Sequence, residues 1–215
     1  MADPPAYTRL IVDEFALLNA WRSGDGDAGT QLLRRYTDTV YHFFLTKTDS
    51  TSAEELTQAT FEACTRQRDQ IREQGSIRAY LLGIARKKLL QHHDEWRRRG
   101  TRGEALGESV AGMLTSPSVA LARSERQRIV LAALQALPVD FQIAIELHYW
   151  EEMSVTEIAT VLEVAPGTVK SRLHRGRELL REKIHQVVAD PRLAEDTIAG
   201  LHTWIASLRG PREGA

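Results

Sequence analysis

The sequence predicts an all-α protein: two small helical domains joined by a flexible linker, the second containing a helix-turn-helix. Three observations carry that expectation. Apolar residues recur at three- and four-residue spacing through nearly every periodic segment. No alternating run of convincing strand length interrupts them. Between the two periodic blocks, residues 100–120 ("GTRGEALGESVAGMLTSPSVA") are rich in Gly, Ser, Thr and Pro and leave little to build a core.

Composition sets the outer bounds. The 215 residues are 42% hydrophobic and 27% charged, which is ordinary for a soluble protein and excludes global disorder. No apolar run approaches the roughly 20 residues of a membrane span. The opening "MADPPAYTRLIVDEF" has no basic segment followed by an apolar core, so a secretory signal is not expected. Cys64 is the single cysteine, so an internal disulfide is impossible, which suits a cytoplasmic location. The formal net charge is -1, but it is unevenly spread. Arg78, Arg86, Lys87, Lys88, Arg97, Arg98, Arg99 and Arg102 face only Asp94 and Glu95 in their span. A second cationic run, "VAPGTVKSRLHRGR" (164–177), holds no acid at all.

Residues 1–14 read as an N-terminal extension and 15–99 as the first domain. Phe15–Arg22 forms a short helix ending at "SGDGDAG". Asp27 is placed to cap the next helix, in which Leu32, Leu33, Tyr36, Val40, Phe43 and Phe44 recur at helical spacing. "TDSTS" breaks the pattern, and Ser52 with Glu55 gives a capping-box pattern opening a helix to about Arg68. A polar turn leads to Ser76, a cap for a long helix ending near Arg99.

The second domain spans 121–188, with helices near Arg123–Ala136, Pro138–Trp150, Val155–Leu162 and Pro166–His185. Ser154 and Glu157 form a capping box, and the helix after them buries Ile158, Ala159 and Leu162. A turn, "EVA", follows, and Pro166 suits the first position of the next helix. So tight a connection reads as helix-turn-helix. At about 100° per residue, Val169, Leu173, Gly176 and Leu180 fall on one side of the second helix. Lys170, Ser171, His174 and Glu178 point the other way with Arg175 and Arg181 beside them, while Arg172 and Arg177 flank the apolar stripe. A polar strip can reach base edges in a major groove, and flanking arginines can hold phosphates. The clustered cations imply a polyanionic partner.

These residues resemble a known family. "ALQALPVDFQIAIELHYWEEMSVTEIATVLEVAPGTVKSRLHRGRELLREKI" is similar to the promoter-binding domain of extracytoplasmic-function (ECF) sigma factors, "GTVKSRLHR" most specifically. "SAEELTQATFEAC" and "SIRAYLLGIARKKLLQHHDEWRRR" resemble the same family's N-terminal domain. The resemblance implies a transcription initiation factor without enzymatic activity or cofactor. Its partners would be core RNA polymerase and promoter DNA, with an anti-sigma factor left open. The 15–99 domain would correspond to sigma region 2 and the 121–188 domain to region 4.

Carried over residue by residue, the resemblance makes Glu55, Gln58 and Glu62 the polymerase-binding face. It makes Thr168, Lys170, Ser171, Arg172, His174, Arg175 and Arg177 DNA-binding, together with Arg86, Lys87 and Lys88 at the downstream promoter element. Ile71, Arg72 and Gln74 would line a pocket for a flipped-out base.

Several positions depart from the family pattern: Glu55 for aspartate, Ala59 for an acid, Lys87 for asparagine and Gln91 for aspartate. In the turn, Glu163 stands where glycine is usual, and Ala165 where serine often caps. A positive φ at Glu163 would cost roughly 1 kcal/mol. Two alternatives stay open at this point: a sigma mimic that sequesters an anti-sigma factor, and a plain helix-turn-helix regulator.

Other signals are weaker. His92 and His93 lie about 100° apart on a helix and have no supporting ligand pattern, so no metal is expected. No nucleophile–base pattern or glycine-rich phosphate loop appears. The tail, 189–215, reads as an amphipathic extension with Leu193, Thr197, Ile198, Leu201, Trp204, Ile205 and Leu208 on one stripe. It either packs on its own chain or docks a regulator.

Overall fold

A computed structural model describes residues 6–71, 76–98 and 124–208, and the regular structure among them is helical. The expected linker at 100–120 lies outside the described residues. The first module contains α1 (Ala6–Arg22), α2 (Gly26–Arg34), α3 (Thr37–Leu45), α4 (Ser50–Arg66), a single 3₁₀ turn (Arg68–Gln70) and α5 (Ile77–Arg98). The second contains α6 (Glu125–Gln135), α7 (Val139–Tyr149), α8 (Val155–Leu162) and α9 (Pro166–Val187), followed by α10 (Pro191–Ala199) and α11 (Leu201–Ser207).

Where bounds differ from the sequence reading, local chemistry explains it. Helix α1 starts at Ala6 instead of Phe15, because no breaker lies between Pro5 and Arg22. Asp25, not Asp27, caps α2: its carboxylate accepts from the N–H groups of Asp27 and Ala28, each at 3.0 Å. The stripe from Leu32 to Phe44 is split at Tyr36, whose hydroxyl donates to Glu14 at 2.6 Å. Ser52 and Glu55 do not form the capping box of α4. Asp49 caps it, accepting from Ser52 N–H at 2.9 Å and from the Ser52 hydroxyl at 2.7 Å. Ser76 does cap α5, its hydroxyl accepting from Ala79 N–H at 3.2 Å.

Leu18, Leu32, Val40, Phe44, Leu81, Leu82 and Leu89 are fully buried in the first module. This apolar cluster does not stop at the module's edge. It continues through Ile143, Ala144 and Leu147 of α7 and Ile158, Ala159 and Leu162 of α8. Helix α8 lies along α5. The second module has another core on its far side, where Ile129, Leu134, Ile145, Leu180 and Ile184 meet the tail.

The tail is two helices rather than one. Gly200 separates them, and a Cβ there would lie 2.5 Å from the Trp204 indole nitrogen. Ala194, Leu201 and Ile205 are buried against the second module. The Trp150 indole N–H donates to the Ile205 carbonyl at 2.7 Å. The tail therefore packs on its own chain.

Candidate nucleic-acid interface

The helix-turn-helix is built as its sequence dictates. Ser154 and Glu157 cap α8 reciprocally: the Ser154 hydroxyl accepts from Glu157 N–H at 3.2 Å, and Glu157 accepts from Ser154 N–H at 2.8 Å. The chain reverses at Glu163, which takes the left-handed conformation (φ 55°, ψ 44°). Pro166 then opens α9, and Ala165 supplies no side-chain cap.

Helix α9 packs through Val169, Leu173, Gly176, Leu180 and Ile184. At Gly176 a Cβ would stand 3.0 Å from Ile145 Cδ1 and 3.4 Å from Phe141 Cβ, so the missing side chain sets how closely α9 approaches α7. On the opposite face Thr168, Lys170, Ser171, His174 and Arg175 are all exposed. Ser171 donates back to the Gly167 carbonyl at 3.1 Å. Arg175 also meets Glu178 at 3.2 Å and Glu182 at 3.6 Å, so the face is cationic in its first turns and mixed further on. The two flanking arginines are half-buried and turned toward α7. Arg172 pairs with Asp140 at 3.0 Å, and Arg177 donates to the Tyr149 hydroxyl at 3.5 Å. They are not brought together with the exposed strip.

On α5, Lys87 is exposed, while Arg86 and Lys88 are half-buried. Arg86 Nε is buried without a hydrogen-bond partner. Lys87 reaches Glu163 in the α8–α9 turn at 2.7 Å, and that hydrogen bond holds the Glu163 carboxyl below the usual glutamate range. On α4, Glu55, Gln58 and Glu62 share an exposed face. There the Gln58 amide donates to Glu62 at 2.9 Å. Of the expected base pocket, Ile71 is buried in the core, whereas Arg72 and Gln74 lie outside the described residues.

Sequence reasoning missed one polar cluster. Lys47, just after α3, forms an ion pair with Glu146 of α7, and both side chains are almost fully buried (1% and 3% exposed). Burial pushes the Lys47 ammonium down and the Glu146 carboxyl up, each opposed by the other's charge. The visible signal was Glu146 itself, an acid inside the apolar run "FQIAIELHYW". Such an acid stays buried only with a partner.

Comparisons with known proteins follow this division into modules. The family profile "Sigma-70 region 2" matches residues 32–101, and "Sigma-70, region 4" matches residues 127–180. The ECF RNA polymerase sigma factor SigW of Bacillus subtilis is 26% identical over 175 residues, covering 77% of this chain and 94% of SigW.

The chain belongs to the ECF sigma factors.

The ECF RNA polymerase sigma factor SigE of Mycolicibacterium smegmatis is 36% identical over 157 residues, covering 71% of this chain and 60% of SigE. The solved structure of the sigma factor RpoE of Bartonella quintana, in complex with the anti-sigma factor NepR, shares the fold. Its TM-score is 0.54 at 23% identity, over 74% of this chain and 97% of that one. In this ECF sigma factor the region 2 match takes in α3, α4 and α5, and the region 4 match takes in the helix-turn-helix. The tail helices α10 and α11 lie beyond both. Among the described residues no group of His, Cys, Asp and Glu is placed to hold a metal ion, and no helix is long and apolar enough to cross a membrane.

Proposed function

We propose that this chain binds core RNA polymerase, directs it to a promoter and acts in the cytoplasm by binding alone, with no covalent step of its own. The observation that carries the reading is α9: its apolar side seals the second module while Thr168, Lys170, Ser171, His174 and Arg175 stand exposed on the other. A helix held this way enters a major groove with its first turns toward base edges. Arg172 and Arg177 serve from the flanks, bracing α9 on α7 and reaching phosphates at the groove's edge. Polymerase docks on the Glu55, Gln58 and Glu62 face of α4, where carboxylates and an amide suit arginines on a partner helix. Arg86, Lys87 and Lys88 of α5 meet the downstream element. Lysine at position 87 lacks an amide's paired donor and acceptor, so contact there leans on phosphate charge.

The test is run-off transcription with purified core polymerase on a genomic promoter library. A transcript that requires both the chain and a particular upstream sequence supports the proposal. Co-purification with polymerase but no promoter-dependent transcript would favour the sigma mimic. Sequence-specific DNA binding without co-purification would favour the plain regulator.

A further inference from the structure

The tail meets the end of α7 through two consecutive residues. The Trp150 indole N–H donates to the Ile205 carbonyl, and the Tyr149 hydroxyl lies 3.1 Å from His202 Nε2. His202 and Ile205 are three residues apart, so one face of α11 makes both contacts. The His148 and His202 rings each meet the Tyr149 ring edge-on, with centroids 4.8 Å and 4.7 Å away. Tyr149 itself is buried, and its hydroxyl oxygen also accepts from Arg177 Nη1 of α9 at 3.5 Å. An arginine only donates, whereas a hydroxyl both accepts and donates. The order that uses all three groups therefore runs from Arg177 to Tyr149 to His202, with the phenol proton directed at His202 Nε2.

Arg177 is held differently from the other flanking arginine. Arg172 pairs with a carboxylate, Asp140, so its charge is compensated within the chain. Among the described residues the partner of Arg177 is a neutral hydroxyl, which leaves its full charge for an anion. The contact takes one of the guanidinium's five N–H donors and leaves the others for a phosphate. Restraining a long side chain in advance removes part of the entropy that binding would otherwise cost. Tyr149 and Arg177 lie inside the region 4 match at 127–180, and His202 lies beyond it. The tail thus adds a restraint to a side chain of the helix-turn-helix.

We propose that His202 is a positioning residue for DNA binding: through the Tyr149 hydroxyl it holds Arg177 ready for a backbone phosphate beside the groove that α9 enters. The two-helix tail then belongs to the DNA-binding apparatus and is not only a cover for the second core. This role rests on the reading of α9 as the DNA-binding helix.

Titration of the full chain with a fluorescent mixed-sequence DNA duplex at low salt tests this, because a phosphate contact needs no particular base sequence. Arg177→Ala weakens binding and flattens the log–log salt slope by about 0.9. His202→Ala, a change at an exposed side chain, weakens binding by about two- to tenfold, and Tyr149→Phe does the same. Neither has a further effect in the Arg177→Ala background, where the lost restraint has nothing left to act on. His202→Gln, whose amide oxygen can accept the phenol proton, recovers most of the affinity. In the DNA-free chain, His202→Ala lowers the NMR order parameter of the Arg177 Nε–H. A tail that merely buttresses the fold would make His202→Ala cost as much with Arg177→Ala as without it, and that result overturns the proposal. So does an unchanged affinity or an unchanged Arg177 order parameter in His202→Ala. Lys170→Ala separates the two readings. If it weakens binding while His202→Ala does not, the positioning role falls and α9 remains the DNA-binding helix. If neither Lys170→Ala nor Arg177→Ala changes binding, the reading of α9 itself fails and takes the positioning role with it.

Discussion

Glu163 carries two opposing effects in one residue. Its left-handed backbone costs about 1–2 kcal/mol relative to glycine. Its carboxylate pairs with Lys87, but both side chains are well exposed, so the pair contributes at most about 1 kcal/mol. The backbone effect is the larger. Glu163→Gly should therefore raise stability by up to about 1 kcal/mol in chemical denaturation. Ala165 leaves the first turn of α9 without a side-chain cap, and Ala165→Ser should add about 0.5–1 kcal/mol. Gly176 is the opposite case, a residue already at its optimum. A larger side chain would enter the space of Ile145, which is fully buried and has nowhere to move. Gly176→Leu should destabilise the chain by about 1–3 kcal/mol, read as a lower midpoint in thermal melting. Both the strain at Glu163 and the bare cap at Ala165 were legible in the sequence, because each follows from a residue type at a defined turn position.

Among the elements, α4 shows what sequence patterns decide and where they mislead. The Ser52/Glu55 pattern has capping-box spacing, yet Asp49 three residues earlier takes the cap and turns Ser52 into a donor. A nearer carboxylate competes better for the same N–H groups, and spacing alone cannot rank the two. These hydrogen bonds from Ser52 hold the Asp49 carboxyl below the usual aspartate range. A depressed folded value means stability that is present above the unfolded pKa and lost as pH falls through the folded one. Asp49→Ala should cost about 1 kcal/mol at neutral pH, and the difference should vanish in acid; paired denaturation curves at both pH values check it. Helices α8 and α9 were legible almost to the residue, since a capping box, a tight turn and Pro166 mark their ends. The split at Tyr36 and the break at Gly200 were not, because helical spacing of apolar residues carries across a short kink.

For the whole molecule, the sequence made the two modules and the exposed strip of α9 readable but not the way the modules meet. The clue lay in α7, which is apolar nearly all round, as a helix buried on both sides must be. One side of α7 meets the tail and α9, and the other meets α3 across Lys47 and Thr46. Partner choice between segments so far apart in sequence depends on side-chain fit that no local pattern encodes. At this scale the salt dependence of promoter binding is informative. Lys170→Ala and Arg175→Ala should each flatten the log–log slope by about 0.9 for every phosphate that is no longer neutralised. Promoter selection by α9 is decided by transcription with core polymerase reconstituted with the Lys170→Ala/Arg175→Ala double variant. The unchanged chain should give a promoter-dependent transcript, and the variant should lose it while still co-purifying with polymerase through α4. An undiminished transcript from the variant would contradict promoter selection by α9.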